Sequence, residues 1–398
     1  MARNSPRRLV VPLLGYPGAR LTNSTLRQNG FNAELHFRSV SNIVERFSPD
    51  AVFFMMDLSL EAGALGLPVR YPLNESPTVE EHPVKRIEDL GQFKVLDPMN
   101  DARIRSFIRV MELMKKHLSI PCGGYVIGPF TLAGLMMGAT EITMATILDP
   151  DLVRYTIEFS TQVCRRYAKA LADAGADMIA ILEPTAVLLS PQAFPEFCGN
   201  HISEIISEMK PMMILHICGN TTHLLSEMSK TGAQGLSLDA AVDFPSAVHR
   251  VDPEVVLIGN IDPVGVMVQE SPDQVRERVR NLLNAMFPYE NFILSTGCDL
   301  PLETPFENID AFMDEGRRQM NGGIHQEDEG RLQTSGNCRQ QNVGCHRANG
   351  GSRQESGSCC PANEGRRQVK AAYCQAGENR CEADEDCCCQ TRSDALMI

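Results

Sequence analysis

Positive charge is in short supply in this chain. Lysine and arginine total 37 against 50 aspartates and glutamates, a formal net charge of -13. Nucleic acids and anionic membrane surfaces are gripped by basic faces, so neither is an expected partner. Long apolar runs are missing too: a membrane-spanning helix needs about 20 consecutive apolar residues, and no stretch approaches that. Residues 9–14, Leu-Val-Val-Pro-Leu-Leu after Arg7 and Arg8, faintly resemble a secretion signal. Pro12 breaks the run, Gly15-Tyr16-Pro17 closes it, and no small-residue cleavage site follows. It reads as a first strand, and the expected location is the cytoplasm. Cysteine is sparse over most of the length. Of 14, only Cys122, Cys164, Cys198, Cys218 and Cys298 precede residue 320, while nine crowd between Cys338 and Cys389. A large body with a few scattered cysteines suits metal or thiol chemistry better than a disulfide framework.

What the chain does have is alternation. With 43% hydrophobic and 22% charged residues it can bury a sizeable core. Up to about residue 320, short β-branched runs alternate with longer amphipathic segments, as in a βα architecture. Eight strands are expected at 9–14, 51–56, 123–127, 177–182, 212–216, 235–238, 255–258 and 291–295. Helices are expected over 101–117, 151–174, 191–209, 271–287 and 305–320, the fourth announced by Ser271-Pro272-Asp273. Eight strands joined by helices fit an α/β fold of the (β/α)8 TIM-barrel type, one domain over residues 1–320; an open doubly wound sheet is the alternative. Beyond 320 the sequence is rich in Gly, Gln, Asn, Ser and Cys. It repeats a phrase, Glu315-Gly316-Arg317-Arg318-Gln319, at 329–333 and 364–368. Such a segment cannot bury enough apolar surface to offset its ordering entropy. Cys359-Cys360 and Cys387-Cys388-Cys389 lack the spacing of a closed zinc site. Residues 321–398 therefore read as a disordered, Cys-rich extension.

Chemistry concentrates at the strand ends. Leu215-His216-Ile217-Cys218-Gly219-Asn220 closes the fifth expected strand. Side chains alternate along a strand, so His216 and Cys218 share a face, and at the C-terminal end of a barrel strand that face opens on the active-site mouth. A third ligand, Cys298, follows the eighth strand in Ser295-Thr296-Gly297-Cys298. One imidazole and two thiolates form a recognised catalytic zinc set with a fourth position left for substrate. Glu183, ending the fourth strand, is a candidate fourth ligand, its bland reading a solvated loop carboxylate. Asp57 and Asp239, ending the second and sixth strands, are candidates to orient His216 or to hold a polar group of the substrate. His223 reads as a surface residue, and Met136, Met137, Met212 and Met213 as core filling.

At this point the chain resembles a known family. His216-Ile217-Cys218-Gly219-Asn220 with the distant Cys298 is similar to the H-x-C…C zinc signature of the methylcobamide:thiol methyltransferases, a branch of the uroporphyrinogen decarboxylase superfamily. Residues 57–66, 128–134 and 259–263 are similar to that family as well, and the resemblance covers about residues 8–320. It implies a barrel, a zinc-activated small thiol such as coenzyme M as methyl acceptor, and a methylcobalamin-type corrinoid on a partner protein as donor. In this reading Zn²⁺ is held by His216, Cys218 and Cys298, with Asp57, Glu183 and Asp239 near the reaction. The decarboxylase branch carries an R-Q-A-G-R stretch whose arginines meet substrate carboxylates; here the place reads Tyr16-Pro17-Gly18-Ala19-Arg20. That branch also has histidine where this chain has Cys298, although its catalytic aspartate has a counterpart in Asp57. Decarboxylation of a tetrapyrrole polyacid is the runner-up, and a non-catalytic partner of a corrinoid system a third reading.

Overall fold

The computed structural model describes residues 7–94 and 97–318. The tail reading, residues 321–398, lies outside the described residues. Among the described residues there are nine strands: β1 (Val52–Phe53), β2 (Val69–Arg70), β3 (Thr78–Val79), β4 (Cys122–Ile127), β5 (Met178–Leu182), β6 (Met212–Ile217), β7 (Gly235–Leu238), β8 (Val256–Ile261) and β9 (Phe292–Thr296). β2 and β3 pair as a small antiparallel hairpin of their own. The other seven form one curled parallel sheet in the order β1-β4-β5-β6-β7-β8-β9.

The eighth stave is the expected first strand, and it is barely laddered. Val10 bridges Leu294 of β9, with Leu294 N donating to Leu9 O at 3.0 Å and Val11 N donating to Leu294 O at 2.8 Å. Pro12 has no N–H to carry the ladder further. Toward β1 the stave is tied by Asp50: its N–H donates to Val10 O at 3.1 Å, and its Oδ2 accepts from Val10 N at 2.7 Å. The result is a (β/α)8-type barrel whose last seam is held in part by a side chain.

Helices on the outside begin where the capping chemistry says they should. Asp101 accepts from Ile104 N at 2.8 Å to start Ala102–His117, and Asp149 accepts from Leu152 N at 3.3 Å to start Pro150–Asp173. Gln274 Oε1 accepts from Ser271 N at 3.0 Å at the head of Pro272–Ala285. The helix expected over 191–209 forms over residues 194–207, with Pro195 in its first turn, where no N–H is needed, and the segment Pro195–Gly199 wound as a π-turn that runs on into Asn200–Ser207. Residues 315–318 of the first copy of the repeated phrase close the last helix, Phe306–Arg318, with Glu315 and Gly316 in the core. Glu315 is buried and accepts from Arg280 Nε at 2.9 Å, while Gly316 lies against Val10 and Leu294.

No single helix among the described residues is long and apolar enough to cross a membrane. The most apolar, Pro129–Met137, buries Phe130, Leu132, Ala133 and Met136 completely in the protein interior.

Candidate metal centre

β6 ends in His216 and Ile217, and Cys218 follows directly. β9 ends at Thr296, and Gly297 carries the chain on to Cys298. A Cβ at Gly297 would lie 2.6 Å from the Ala240 amide nitrogen, so only glycine lets this turn pass close enough to β7 to deliver Cys298. The three side chains converge at the mouth. Cys218 Sγ is 3.0 Å from His216 Nε2 and 3.6 Å from Cys298 Sγ, and Cys298 Sγ is 3.7 Å from His216 Nε2. All three ligand atoms fall within 4.8 Å of one another, and no further His, Cys, Asp or Glu among the described residues joins them.

These distances fit a single ion. Tetrahedral ligands at about 2.3 Å (sulfur) and about 2.0 Å (nitrogen) from one zinc sit roughly 3.5–3.8 Å apart. Two of the three separations match, and the His216–Cys218 pair needs to open by about half an ångström. A sulfur separation of 3.6 Å also excludes a disulfide, which needs about 2.05 Å. The Cys218 thiol beside it and burial push the Cys298 thiol well above its ordinary range. A thiol so placed keeps its proton at neutral pH unless a cation replaces it, which is what a metal does at a Cys-rich site.

The histidine is oriented by a residue absent from the sequence reading. His216 Nδ1 lies 2.9 Å from Ser237 Oγ, and both are buried. Ser237 pairs with His216 in register across β6 and β7. A polar residue in an apolar strand, opposite a predicted ligand, was the available signal. A hydrogen bond at Nδ1 leaves Nε2, which faces both cysteines, as the metal-binding nitrogen.

The three carboxylates proposed from sequence lie outside the cluster. Glu183 is neither a fourth ligand nor a solvated loop residue: it is completely buried with both oxygens engaged. Oε1 accepts from Phe130 N at 2.9 Å, and Oε2 accepts from Thr131 N at 2.8 Å and Thr131 Oγ1 at 2.7 Å. It thus satisfies the orphan donors at the start of Pro129–Met137. A Cβ at Gly128 would collide with the Glu183 side chain at 2.0 Å, so the glycine makes room for the carboxylate. Burial raises Glu183 to about 7 against these hydrogen bonds.

Asp57 does not orient His216 either. Its Oδ1 accepts from Ser59 N at 2.9 Å and Ser59 Oγ at 2.7 Å, and Oδ2 is ion-paired with Arg103. Arg103 also donates to the Tyr71 hydroxyl at 2.9 Å and stacks on the Phe31 and Tyr71 rings. Asp239 Oδ1 accepts from Ala241 N at 2.9 Å and shapes the turn after β7. Asp299, next to Cys298, accepts from Gly15 N at 3.0 Å, and burial raises it to about 7. His223 is exposed and bonds Leu189 O at 3.1 Å, as a surface residue would.

Parallel strands closing on a mouth, with an imidazole and two thiols brought together at their C-terminal ends, define a barrel with a candidate catalytic metal site. The chain belongs to the uroporphyrinogen decarboxylase (URO-D) family, whose profile matches residues 7–319. It is 30% identical over 273 residues to the methylcobamide:CoM methyltransferase MtbA of Methanosarcina acetivorans, covering 67% of this chain and 78% of that one. It is 26% identical over 317 residues to the uroporphyrinogen decarboxylase of Prochlorococcus marinus (strain MIT 9312), covering 76% and 89%. A solved methyltransferase from Methanosarcina mazei shares the fold with a TM-score of 0.73 at 23% identity, over 80% of this chain and 96% of the other.

Proposed function

We propose that the chain is a zinc-dependent methyltransferase that moves a methyl group from a methylcorrinoid, carried on a partner protein, to a small thiol such as coenzyme M. The observation that carries this reading is the convergence of His216, Cys218 and Cys298 within 4.8 Å at the barrel mouth. The names of the methylcobamide:CoM methyltransferase relatives support the same direction.

A bound zinc would supply Lewis acidity that replaces the proton of the acceptor thiol at neutral pH. The chain's own groups do the rest. His216, Cys218 and Cys298 would hold the ion, and two cysteinate ligands would keep it electron-rich enough for an acceptor thiol to remain nucleophilic. Ser237 fixes the imidazole tautomer through Nδ1. The reaction balances as thiol plus methylcorrinoid giving thioether, a proton and a corrinoid whose cobalt keeps the electron pair.

A carboxy-lyase is the second reading, favoured by the decarboxylase relatives and by Asp57. Two observations weigh against it. Asp57 is committed to Arg103, and Arg20, the one arginine left from the R-Q-A-G-R stretch, donates to Leu302 O at 3.2 Å and Thr304 O at 2.6 Å while stacking on Phe306. Its guanidinium is spent on the fold instead of facing a substrate carboxylate.

Elemental analysis of the purified full chain beside a His216→Ala, Cys218→Ser double variant tests the proposal. About one zinc per chain, lost in the variant, is expected, together with thiol methylation from methylcobalamin that disappears in Cys298→Ser. Absence of metal from chelator-free preparations, or methylation indifferent to Cys298, would overturn it.

A further inference from the structure

The cysteines among the described residues fall into two groups. Cys122, Cys164 and Cys198 are buried. Burial pushes the Cys122 thiol up to about 11 and holds those of Cys164 and Cys198 well above their ordinary range. A thiol that keeps its proton is a poor nucleophile, so these three are inert toward oxidants. Cys218 and Cys298 keep accessible surface at the barrel mouth, and their sulfurs face each other at 3.6 Å.

This pair is arranged for more than holding an ion. The two sulfurs are not bonded, yet a disulfide needs them to close by only about 1.5 Å. Cys218 lies past Ile217, the last laddered residue of β6, and is followed by Gly219 at φ 82°. The closing movement therefore falls on a glycine turn and leaves the ladders in place. His216 Nε2 lies 3.0 Å from Cys218 Sγ, while Nδ1 is taken by Ser237. An accessible cysteine with an imidazole beside it and a second cysteine in reach is the arrangement that turns an oxidised sulfur into a disulfide.

We propose that Cys218 and Cys298 are an oxidative modification site, joined by hydrogen peroxide into a disulfide that spans the mouth and shuts out the metal. The Cys218 proton passes to His216 Nε2, and the sulfur attacks one peroxide oxygen. The O–O bond breaks, a sulfenic acid forms on Cys218, and the other oxygen leaves with the His216 proton as water. Cys298 Sγ then attacks the Cys218 sulfur. The S–O bond breaks, and the hydroxyl leaves with the Cys298 proton as a second water. Two thiols give up two electrons in all, and one peroxide is reduced. The new bond ties the end of β6 to the end of β9, across 80 residues of chain, and removes the thiolates that a metal needs. Its effect on metal loading rests on the zinc reading above; the bond itself does not.

The test takes the full chain, stripped of metal by a chelator under reductant, desalted, and treated with one equivalent of hydrogen peroxide. Peptide mapping by mass spectrometry should find the Cys218 and Cys298 peptides joined, lighter by two hydrogens than their sum. Zinc uptake should be lost in proportion to the joined fraction and return on adding dithiothreitol. Cys218→Ser and Cys298→Ser should each lose the joined peptide, whereas Cys164→Ser should keep it. A chain that takes zinc when reduced but never yields the joined peptide overturns this inference and leaves the zinc reading standing. A chain that joins the two peptides but takes no zinc even when reduced upholds the bond and counts against the zinc reading alone. Pairing of Cys218 or Cys298 with a cysteine elsewhere, or full zinc uptake by the joined form, would equally overturn the proposal.

Discussion

At the residue scale, the proposed metal centre rests on a few contacts that can be removed one at a time. Ser237→Ala leaves the three ligands in place and frees His216 Nδ1. Loss of such an outer partner typically costs about 10–100-fold in metal affinity, so a competition titration with a chelator should show zinc held that much more weakly. Glu183→Gln makes the opposite test. The amide cannot accept from both Phe130 and Thr131 as the carboxylate does. Stability should fall by about 1–3 kcal/mol while zinc content stays unchanged; loss of zinc without loss of stability would return Glu183 to the metal. Part of this was legible in the sequence. His216, Cys218 and Cys298 could be placed because alternation along a strand and the barrel's polarity put strand-end residues at one mouth. Glu183 was misplaced by the same rule. Its backbone still donates from N to His216 O at 2.9 Å, but its side chain turns aside to a helix start that lies 53 residues away in sequence.

At the element scale, two buried ionisable groups set opposing pH trends. Burial raises Glu61 to about 8, although its Oε1 accepts from Ile127 N at 2.9 Å on β4. A carboxyl raised in the fold lends its full stability below its unfolded value near 4.5 and loses it as pH climbs through 8. Burial lowers His36 to about 3; its Nε2 accepts from Met55 N at 2.9 Å, so it must stay neutral. Its contribution is present above 6.5 and is lost as pH falls toward 3. Glu61→Gln keeps the acceptor and removes the charge. Relative to the parent it should gain stability at pH 8 over pH 5, on the order of 1.4 kcal/mol for each pH unit between the two values, as followed by thermal unfolding. A variant tracking the parent at both pH values would show Glu61 ionised at no cost. Periodicity could not reveal either group: both lie on helices, His36 in Ala33–Phe47 and Glu61 in Leu60–Ala64, and a buried Glu and a solvated Glu look alike in sequence until what packs against the helix is known. The helix expected over 191–209 begins three residues later, with Pro195 in its first turn, and only the π-winding of Pro195–Gly199 was not legible in its periodicity.

At the scale of the whole molecule, the sheet is hydrogen-bonded strand to strand from β1 round to β9, but between the Val10 stave and β1 the work falls largely to Asp50. Arg7 in turn holds the Asp50 carboxylate. Asp50→Ala should speed amide exchange in residues 9–14 and 51–53 by about 10–100-fold, corresponding to a charge-assisted hydrogen bond of about 1.5–3 kcal/mol, with β5 to β8 unaffected. Uniform acceleration through the sheet would mean that the barrel opens only as a unit. A barrel closed by a carboxylate resembles a bracelet with a clasp. Cys218 follows β6, across the ring from that clasp, and Cys298 follows β9, one stave from it, and the ladders from β6 through β9 that join the two are unbroken. The ring can therefore breathe at one joint while the jaws that would grip a metal keep their spacing.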